Sequence, residues 1–172
     1  MAVHLIIDGY NLIRQSPELL AQEAQDLAWG REALLEKLAA YRRLKPHPIT
    51  VVFDGWEGGE FMGNRDRFQG ILILYSRRGE KADAVIKRLA EQERERALIV
   101  TSDREIADYA LRQGAAVLCA AEFILRLEFA ESGDLSEESD EMEDPGSRTR
   151  KKGPAHRASK KIRRRRQRLK KI

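Results

Sequence analysis

The stretch Leu5-Ile6-Ile7-Asp8-Gly9-Tyr10-Asn11 decides the fold, because in it a short apolar, β-branched run ends directly at an acid and a glycine. Short apolar runs of this kind occupy residues 3–7, 49–53, 71–75, 97–100 and 115–118, and segments with helical spacing of apolar residues separate them. Short strands that alternate with helices are typical of parallel sheets covered on both faces. The pattern therefore predicts a three-layer α/β/α fold with a mostly parallel central sheet of about five strands.

The boundaries of several helices can also be predicted. Ser16-Pro17-Glu18 is typical of an N-cap, a first-turn proline and a first-turn acid. Gly30 is expected to separate two helices, and further helices are expected over residues 81–95, 103–113 and 121–129. Residues 55–70 contain five glycines, which predicts a long loop.

The charge is divided into three zones, although the net charge of the chain is only +4. Residues 1–131 carry 18 Lys/Arg and 21 Asp/Glu, residues 132–147 carry 7 acids and no base, and residues 148–172 carry 14 bases and no acid. We therefore expect a folded domain over 1–131, an acidic disordered linker over 132–147 and a basic RNA-binding tail over 148–172. Residues 159–172 could form a basic helix on a polyanion.

The composition excludes several other classes of protein. No apolar run approaches the roughly 18 residues that a transmembrane helix requires, and no basic segment precedes the first apolar run as in a signal peptide. We therefore expect a cytoplasmic protein without a membrane partner. The single Cys119 excludes an internal disulfide and a cysteine-rich zinc site. Nothing in the sequence calls for a small-molecule organic cofactor.

Acidic residues follow the predicted strands at the points where these strands end. Asp8, Asp54 and Asp103 follow the first, second and fourth strands, and Glu80 and Asp83 lie at the start of the helix after the third. Ligands of an open parallel sheet bind at the carboxyl ends of its strands, so these acids are expected at one edge. Crowded carboxylates repel one another, and a hard divalent cation such as Mg²⁺ relieves that repulsion.

Each acid also has a structural interpretation. Asp103 could serve its own helix, where Ser102 and Glu105 fit a capping box. Asp83 and Glu80 could be first-turn acids that favour the helix dipole, and Asp54 could simply begin a polar loop. Asp8 is the strongest candidate, because it lies between a buried strand and Gly-Tyr-Asn with no helix to cap. Asn11, three residues later, can orient a carboxylate or a metal-bound water.

The motifs around these strand ends form a specific combination. They are Leu5-Ile6-Ile7-Asp8-Gly9-Tyr10-Asn11-Leu12-Ile13, Val51-Val52-Phe53-Asp54-Gly55, Tyr75-Ser76, Gly79-Glu80-Lys81-Ala82-Asp83 with Ile86, and Val100-Thr101-Ser102-Asp103-Arg104. In these motifs, which cover roughly residues 1–130, the sequence resembles the NYN domain family of PIN-like nucleases, most closely its YacP-like bacterial branch. The acidic linker and the basic tail lie outside the family's core pattern.

The resemblance implies a PIN-like α/β/α fold, dependence on Mg²⁺ or Mn²⁺, and endonucleolytic cleavage of RNA. Matched by motif, the acidic centre falls on Asp8, Asp83 and Asp103, with Asn11 beside Asp8. Asp54 is a peripheral member of this set, and Glu80 is a weaker supporting ligand.

Basic and aromatic residues supply candidate RNA contacts. The basic candidates are Arg65, Arg67, Arg77, Arg78, Lys81, Arg163, Arg164, Arg165 and Arg166. In the loop over 55–70, Trp56, Phe61 and Phe68 could stack on the bases of single-stranded RNA; equally, Trp56 and Phe68 could fold back on the core. The tail should bind phosphate backbones with strong salt dependence and little sequence specificity, and ribosomal or other structured RNA is a plausible target.

Together these features predict a metal-dependent endoribonuclease. Asp8, Asp83 and Asp103 would hold one or two Mg²⁺ or Mn²⁺ ions, Asn11 would support them, and hydrolysis would leave 5′-phosphate and 3′-hydroxyl ends. One alternative is a non-catalytic RNA-binding or ribosome-associated protein with a vestigial acidic pocket. Another is a different Mg²⁺ phosphotransfer enzyme, although the sequence has no P-loop Gly-Lys-Ser/Thr and no Asp-x-Asp after the first strand.

Overall fold

A computed structural model describes residues 2–56, 65–133 and 160–172. The elements in chain order are β1 (His4–Asp8), α1 (Gly9–Arg14), α2 (Pro17–Gln25), α3 (Leu27–Leu44), β2 (Ile49–Phe53), β3 (Arg65–Phe68), β4 (Ile71–Tyr75), α4 (Ala82–Glu93), β5 (Ala97–Val100), α5 (Arg104–Arg112), β6 (Ala116–Leu118), α6 (Ala120–Ser132) and α7 (Lys160–Leu169), with a short 3₁₀ turn at Arg94–Arg96. The strands form a six-stranded sheet in the order β3-β4-β2-β1-β5-β6. Only the β3–β4 pair is antiparallel within this sheet.

Apolar residues on both faces of β1 explain the three layers. Leu5 and Ile7 belong to one core cluster, in which α1, α2, α3 and α6 cover the sheet. Ile6, which points the opposite way, belongs to a second cluster beneath α4 and α5. All three side chains are fully buried. The predicted α/β/α fold with a mostly parallel sheet is confirmed.

The strand register brings the candidate acids to one end of the sheet. In the parallel pairs, Asp8 lies level with Val52 of β2, and Ile7 lies level with Val100 of β5. β1 is therefore flanked by the two strands that end just before Asp54 and Thr101. We call this end of the sheet the carboxyl edge, and the opposite end the amino edge.

The sixth strand, β3, lies in the segment predicted to be a long loop. Its sequence Arg65-Asp66-Arg67-Phe68 has no apolar run. β3 is an edge strand with three of its four residues exposed, so it does not need one. A two-residue turn with positive φ at Gln69 and Gly70 joins it to β4, which is the geometry of a tight hairpin. Residues 57–64 of the predicted loop, Phe61 among them, lie outside the described residues.

The predicted break at Gly30 is wrong, because Gly30 lies inside α3. The chain breaks instead at Asp26, whose side chain accepts a hydrogen bond of 2.6 Å from the Ala28 backbone N–H and so caps α3. A Cβ atom at Gly30 would lie 2.9 Å from the Glu23 Cα atom. The glycine therefore allows α2 and α3 to pack closely. The expected start at Pro17 is correct, and Ser16 caps that helix.

The end of the basic tail is a helix that packs on the body, whereas the sequence predicted disorder or a helix formed on a polyanion. Ile172 is buried and Leu169 packs against the same core cluster. Arg126 donates a hydrogen bond of 2.9 Å to the Ile172 carbonyl oxygen. The predicted acidic linker, from residue 134 onward, lies outside the described residues. Within the described ranges, no helix is both long enough and apolar enough to span a bilayer.

Candidate active site

Asp8 lies at the centre of the carboxyl edge, in the middle of the sheet. It is the last residue of β1, its side chain is largely buried, and the Thr101 hydroxyl donates a 3.3 Å hydrogen bond to its Oδ2 atom. The expectation that Asp8 has no helix to cap is wrong, because α1 begins at the next residue. A Cβ atom at Gly9 would lie 2.3 Å from the Phe53 ring, so the glycine is needed where α1 turns away from β1.

Asn11 and Asp103 are joined to Asp8 through the segment after β5. The Asn11 side-chain oxygen accepts a 2.7 Å hydrogen bond from the Ser102 backbone N–H. Thr101, which donates to Asp8, also accepts a 3.0 Å hydrogen bond from the Asp103 backbone N–H. This network ties the first turn of α1 to the start of α5. It fixes the orientation of Asn11 and the backbone position of Asp103 relative to Asp8.

Asp103 also caps α5, as the structural interpretation of this residue required. Its Oδ1 atom accepts hydrogen bonds from the backbone N–H groups of Glu105 at 2.8 Å and Ile106 at 3.1 Å. A capping box that starts at Ser102 would make Ser102 the N-cap of α5. The N-cap is instead Asp103 itself. Both capping bonds use Oδ1, so Oδ2 lies outside them.

Asp54 holds the start of α4 at the same edge. Its Oδ1 atom accepts a 2.8 Å hydrogen bond from the Ala82 backbone N–H and a 3.2 Å hydrogen bond from the Ser76 hydroxyl. Ser76 in turn accepts a 3.1 Å hydrogen bond from the Gly55 backbone N–H. These bonds join the ends of β2 and β4 to the first turn of α4, which carries Asp83. In this structure Asp54 therefore fixes the position of the turn that carries Asp83.

The charge environment of Asp8 includes two of the other predicted acids. Its pKa is raised to about 6, chiefly by burial, then by the neighbouring charge of Asp83 and, to a smaller extent, by that of Asp103. The Asn11 backbone N–H and the Thr101 hydroxyl act in the opposite direction by favouring the ionised form. Asp8, Asp83 and Asp103 therefore interact through their charges, although Asp83 and Asp103 lie 75 and 95 residues after Asp8 in the sequence.

The donor set at this edge consists of carboxylate oxygens, the type of ligand that a hard divalent cation prefers. Within the parts of the chain that the structure describes, no three His, Cys, Asp or Glu side chains form a complete metal-ligand cluster. The carboxylates are nevertheless oxygen donors with excess negative charge, and Mg²⁺ keeps several of its waters when it binds to one or two carboxylates. Asp8 and Asp83 would be the principal ligands, with the Asp103 Oδ2 atom reaching the ion directly or through water.

Glu80 differs from these three acids. Arg88 forms a 2.7 Å ion pair with it, and this contact holds the pKa of Glu80 below its usual range. Its second oxygen accepts a 3.3 Å hydrogen bond from the Arg77 backbone N–H. Its charge is thus balanced within its own loop and helix, which favours a structural role.

The predicted RNA contacts fall into separate groups within the described residues. Arg77, Arg78 and Lys81 are exposed on the segment between β4 and α4, and the Arg78 guanidinium lies 5.4 Å from the centre of the Trp56 ring. Trp56 is 39% exposed, whereas Phe68 packs against the core. Arg65 and Arg67 lie on β3, separated from β1 by two strands. Arg163, Arg164, Arg165 and Arg166 lie on α7, away from this edge.

Two features of this region were missed by the sequence reasoning. Thr101 links Asp8 to the backbone of Asp103, and its place directly after β5 was the available signal. Arg31 is buried on the inner face of α3 and donates a 2.9 Å hydrogen bond to the Tyr10 hydroxyl. A charged residue in line with Leu27, Leu34 and Leu38 was the signal for this buried pair.

Comparison with known proteins gives a consistent assignment. Residues 5–171 match the model of the YacP-like NYN domain. The uncharacterised protein YacP of Bacillus subtilis strain 168 is 30% identical over 89 residues, which span 51% of this chain and 51% of that protein. Two crystal structures of Rae1 (YacP) from Bacillus subtilis are similar, one of them of a mutant in which a tryptophan is replaced by leucine.

The structural similarity covers most of both chains. The mutant structure has a TM-score of 0.65 and 25% identity, covering 76% of this chain and 78% of the other; the second has a TM-score of 0.63 and 27% identity, covering 78% of each. The family match also extends through α7, so the expectation that the similarity ends near residue 130 and leaves the tail outside is wrong. The chain belongs to the YacP-like NYN domain family, whose members are nuclease-like.

Proposed function

We propose that this protein is a metal-dependent endoribonuclease that hydrolyses RNA at the carboxyl edge. The observation that carries the proposal is the buried Asp8 carboxylate, whose pKa is raised to about 6 by burial and by the charges of Asp83 and Asp103. Crowded acids with perturbed pKa values are characteristic of functional sites. Membership of a nuclease-like family supports nucleic acid as the substrate.

The side chains have distinct roles in this proposal. A bound Mg²⁺ or Mn²⁺ ion would activate water and stabilise the charge that develops on the phosphate. Asp8 and Asp83 would bind that ion, while Asn11 and Thr101 hold the carboxylate of Asp8 and the segment leading to Asp103 in place. Products would carry 5′-phosphate and 3′-hydroxyl ends.

Arg78 and Trp56 are suited to bind the RNA strand beside these acids. Their side chains stack on each other where β2 and β4 end, next to the first turn of α4. An exposed aromatic ring can stack on an unpaired base, and an arginine can contact the adjacent phosphate. This pair favours a single-stranded segment of RNA as the part that is cleaved. Arg77 and Lys81, which are exposed on the same loop, add positive charge.

The experiment that tests this proposal is incubation of the purified chain with total RNA and with ribosomes. We expect new 5′-phosphate ends in Mg²⁺ or Mn²⁺ and none in EDTA, and Asp8→Asn should produce none under either condition. Undiminished cleavage in EDTA or by Asp8→Asn would contradict the proposal. The basic tail and the abundance of ribosomal RNA in the cytoplasm make the ribosome the docking target that we propose to test first.

One observation favours a second candidate, a non-catalytic RNA-binding protein. The Oδ1 atoms of Asp54 and Asp103 are both occupied by backbone N–H groups of nearby helices, and no complete ligand cluster occurs among the described residues. In that case RNA would bind equally well with Mn²⁺ or EDTA, and no new ends would form under either condition.

A further inference from the structure

The packing of α7 places basic residues on the side of the molecule opposite the acids. Arg168 donates hydrogen bonds to the backbone oxygens of Gly114 and Glu95, and the His47 ring contacts the Lys171 carbonyl oxygen at 2.9 Å. Gly114, Glu95 and His47 each precede a strand by two residues. The helix therefore crosses the amino edge, and the acids lie beyond the other ends of the same strands.

The strand length sets the separation between these two regions. β1 has five residues, and four steps of roughly 3.3 Å give about 13 Å between its first and last residues. A divalent cation held by Asp8 is thus too distant to share a ligand with α7. It is also separated by more than the roughly 8 Å Debye length at physiological salt. The two surfaces can bind different parts of one RNA molecule.

The contacts of α7 divide its cations into two sets. Arg164 forms a 3.2 Å ion pair with Glu95, and it lines a cleft of about 300 Å³ together with Arg96, Arg168 and Lys171. Glu95 is the one acid among the residues lining this cleft. These side chains hold the helix against the body and leave the cleft with a net positive charge.

The second set faces outward. Arg163 and Arg166 are exposed, and their i, i+3 spacing places them on one helix face. Residues 163–171 contain seven basic residues, no acid and no aromatic residue. Without an aromatic ring this surface offers no stacking platform for unpaired bases, so it fits a regular array of phosphates. Helical RNA presents such an array through its backbone.

We propose that α7 is a second RNA-binding surface, which holds the phosphate backbone of helical RNA at the amino edge while a single-stranded segment reaches the carboxyl edge. The substrate class is then RNA in which a helical part lies near an unpaired part. This inference adds to the proposed nuclease function, but the binding of helical RNA to α7 does not depend on cleavage.

The test measures binding of a blunt RNA duplex of about 16 base pairs, the length that a small duplex-binding domain spans. Fluorescence anisotropy is recorded in EDTA with the full chain over a series of salt concentrations. Arg163→Gln combined with Arg166→Gln should weaken binding at least roughly tenfold at about 0.1 M salt. It should also reduce the slope of log K against log salt by about 2. Unchanged affinity and slope would overturn the proposal.

Matched variants separate charge from folding and one edge from the other. Arg163→Lys with Arg166→Lys keeps both charges and should keep the duplex affinity within about threefold; a loss as large as that of the Gln pair would contradict backbone recognition. Arg104→Gln, at the exposed start of α5 on the carboxyl edge, should leave duplex affinity nearly unchanged, and an equal loss there would place the duplex at the wrong edge. Circular dichroism confirms that each variant is folded.

Binding to vesicles of phosphatidylglycerol, measured for the wild type and for the Arg163→Gln, Arg166→Gln double variant, distinguishes RNA from an anionic membrane. Tighter binding of the wild type to vesicles than to the duplex, at equal phosphate concentration, would overturn the choice of RNA. Because every measurement is made without divalent metal, a failed cleavage assay leaves this result interpretable. Loss of duplex binding in the Arg163→Gln, Arg166→Gln double variant would still support α7 as an RNA-binding surface.

Discussion

The two edges of the sheet carry opposite charge, and their charges are held in different ways. At the carboxyl edge, Asp8 is buried, and its burial and the charges of Asp83 and Asp103 make its ionised form costly. At the amino edge, Arg164 pairs with Glu95 and Arg168 with backbone oxygens, whereas Arg163 and Arg166 lie exposed on the outer face of α7. In our proposal a divalent cation relieves the first arrangement, and the surface charge of the second binds a polyanion.

On our proposals, this difference corresponds to separate tasks for the two edges. Crowded acids that share a divalent ion can act on a phosphate bond, whereas an exposed basic helix supplies affinity with little sequence specificity. Variants at each edge should therefore affect different measurements.

The largest expected effect is on cleavage. Asp8→Asn removes the central negative charge and should lower the rate of RNA cleavage at least about 100-fold, with duplex binding to α7 retained. Asp108→Asn is the matched control, because Asp108 is exposed on α5 and should not alter the rate. Gel analysis of a labelled RNA in Mn²⁺ measures both. Equal rates for the two variants would remove the functional distinction between the edges.

The second effect concerns stability without metal. Because the pKa of Asp8 is raised to about 6 in the folded state, its ionisation costs stability as pH rises from about 4 to about 6. Asp8→Asn lacks this cost, and in EDTA it should be more stable than the wild type by roughly 2–3 kcal/mol near pH 7.5. Near pH 4 the two should agree. Urea unfolding at both pH values measures this, and a less stable variant at pH 7.5 would contradict the raised pKa of Asp8.

A third variant tests whether α7 is packed on the body. Ile172→Ala removes a buried side chain and should lower the free energy of unfolding by about 2 kcal/mol. Leu44→Ala is a control, because Leu44 is 51% exposed. If urea unfolding showed no difference between the two variants, α7 would not be fixed at the amino edge.

The smallest effect separates positioning from metal binding at Asp54. If Asp54 mainly holds the first turn of α4, then Asp54→Ala and Ser76→Ala should both lower stability by about 1 kcal/mol, since each removes a hydrogen bond of the same cluster. Both should weaken Mn²⁺ binding only modestly, as measured by titration calorimetry. A much larger loss of Mn²⁺ affinity in Asp54→Ala alone would make Asp54 a direct ligand.

The parallel strands and the carboxyl edge could be predicted because their signals are local. Each buried strand is a short apolar run, and Asp8 and Asp54 directly follow two of them. The strand β3 was missed because an exposed edge strand needs no apolar pattern. Helix α7 was predicted to be free because its sequence is dominated by charge. The apolar contacts of Leu169 and Ile172 could not be inferred without knowing which surface they meet.

The roles of individual acids were harder to predict than their location. Sequence spacing brought Asp8, Asp83 and Asp103 to one edge, and the charge coupling at Asp8 agrees with this. It could not show that Asp54 binds the backbone N–H of Ala82 or that Arg88 pairs with Glu80. Such contacts depend on how α4 lies on the sheet, and residue spacing does not encode that orientation.

Mn²⁺ titration by calorimetry tests the central claim most directly, because it asks whether the carboxyl-edge acids share a divalent ion. At about pH 7.5, the wild type and Asp108→Asn should bind Mn²⁺ with the same affinity, and Asp8→Asn should bind at least about tenfold more weakly. Equal Mn²⁺ affinity in the wild type and Asp8→Asn, or no binding by the wild type, would contradict the account.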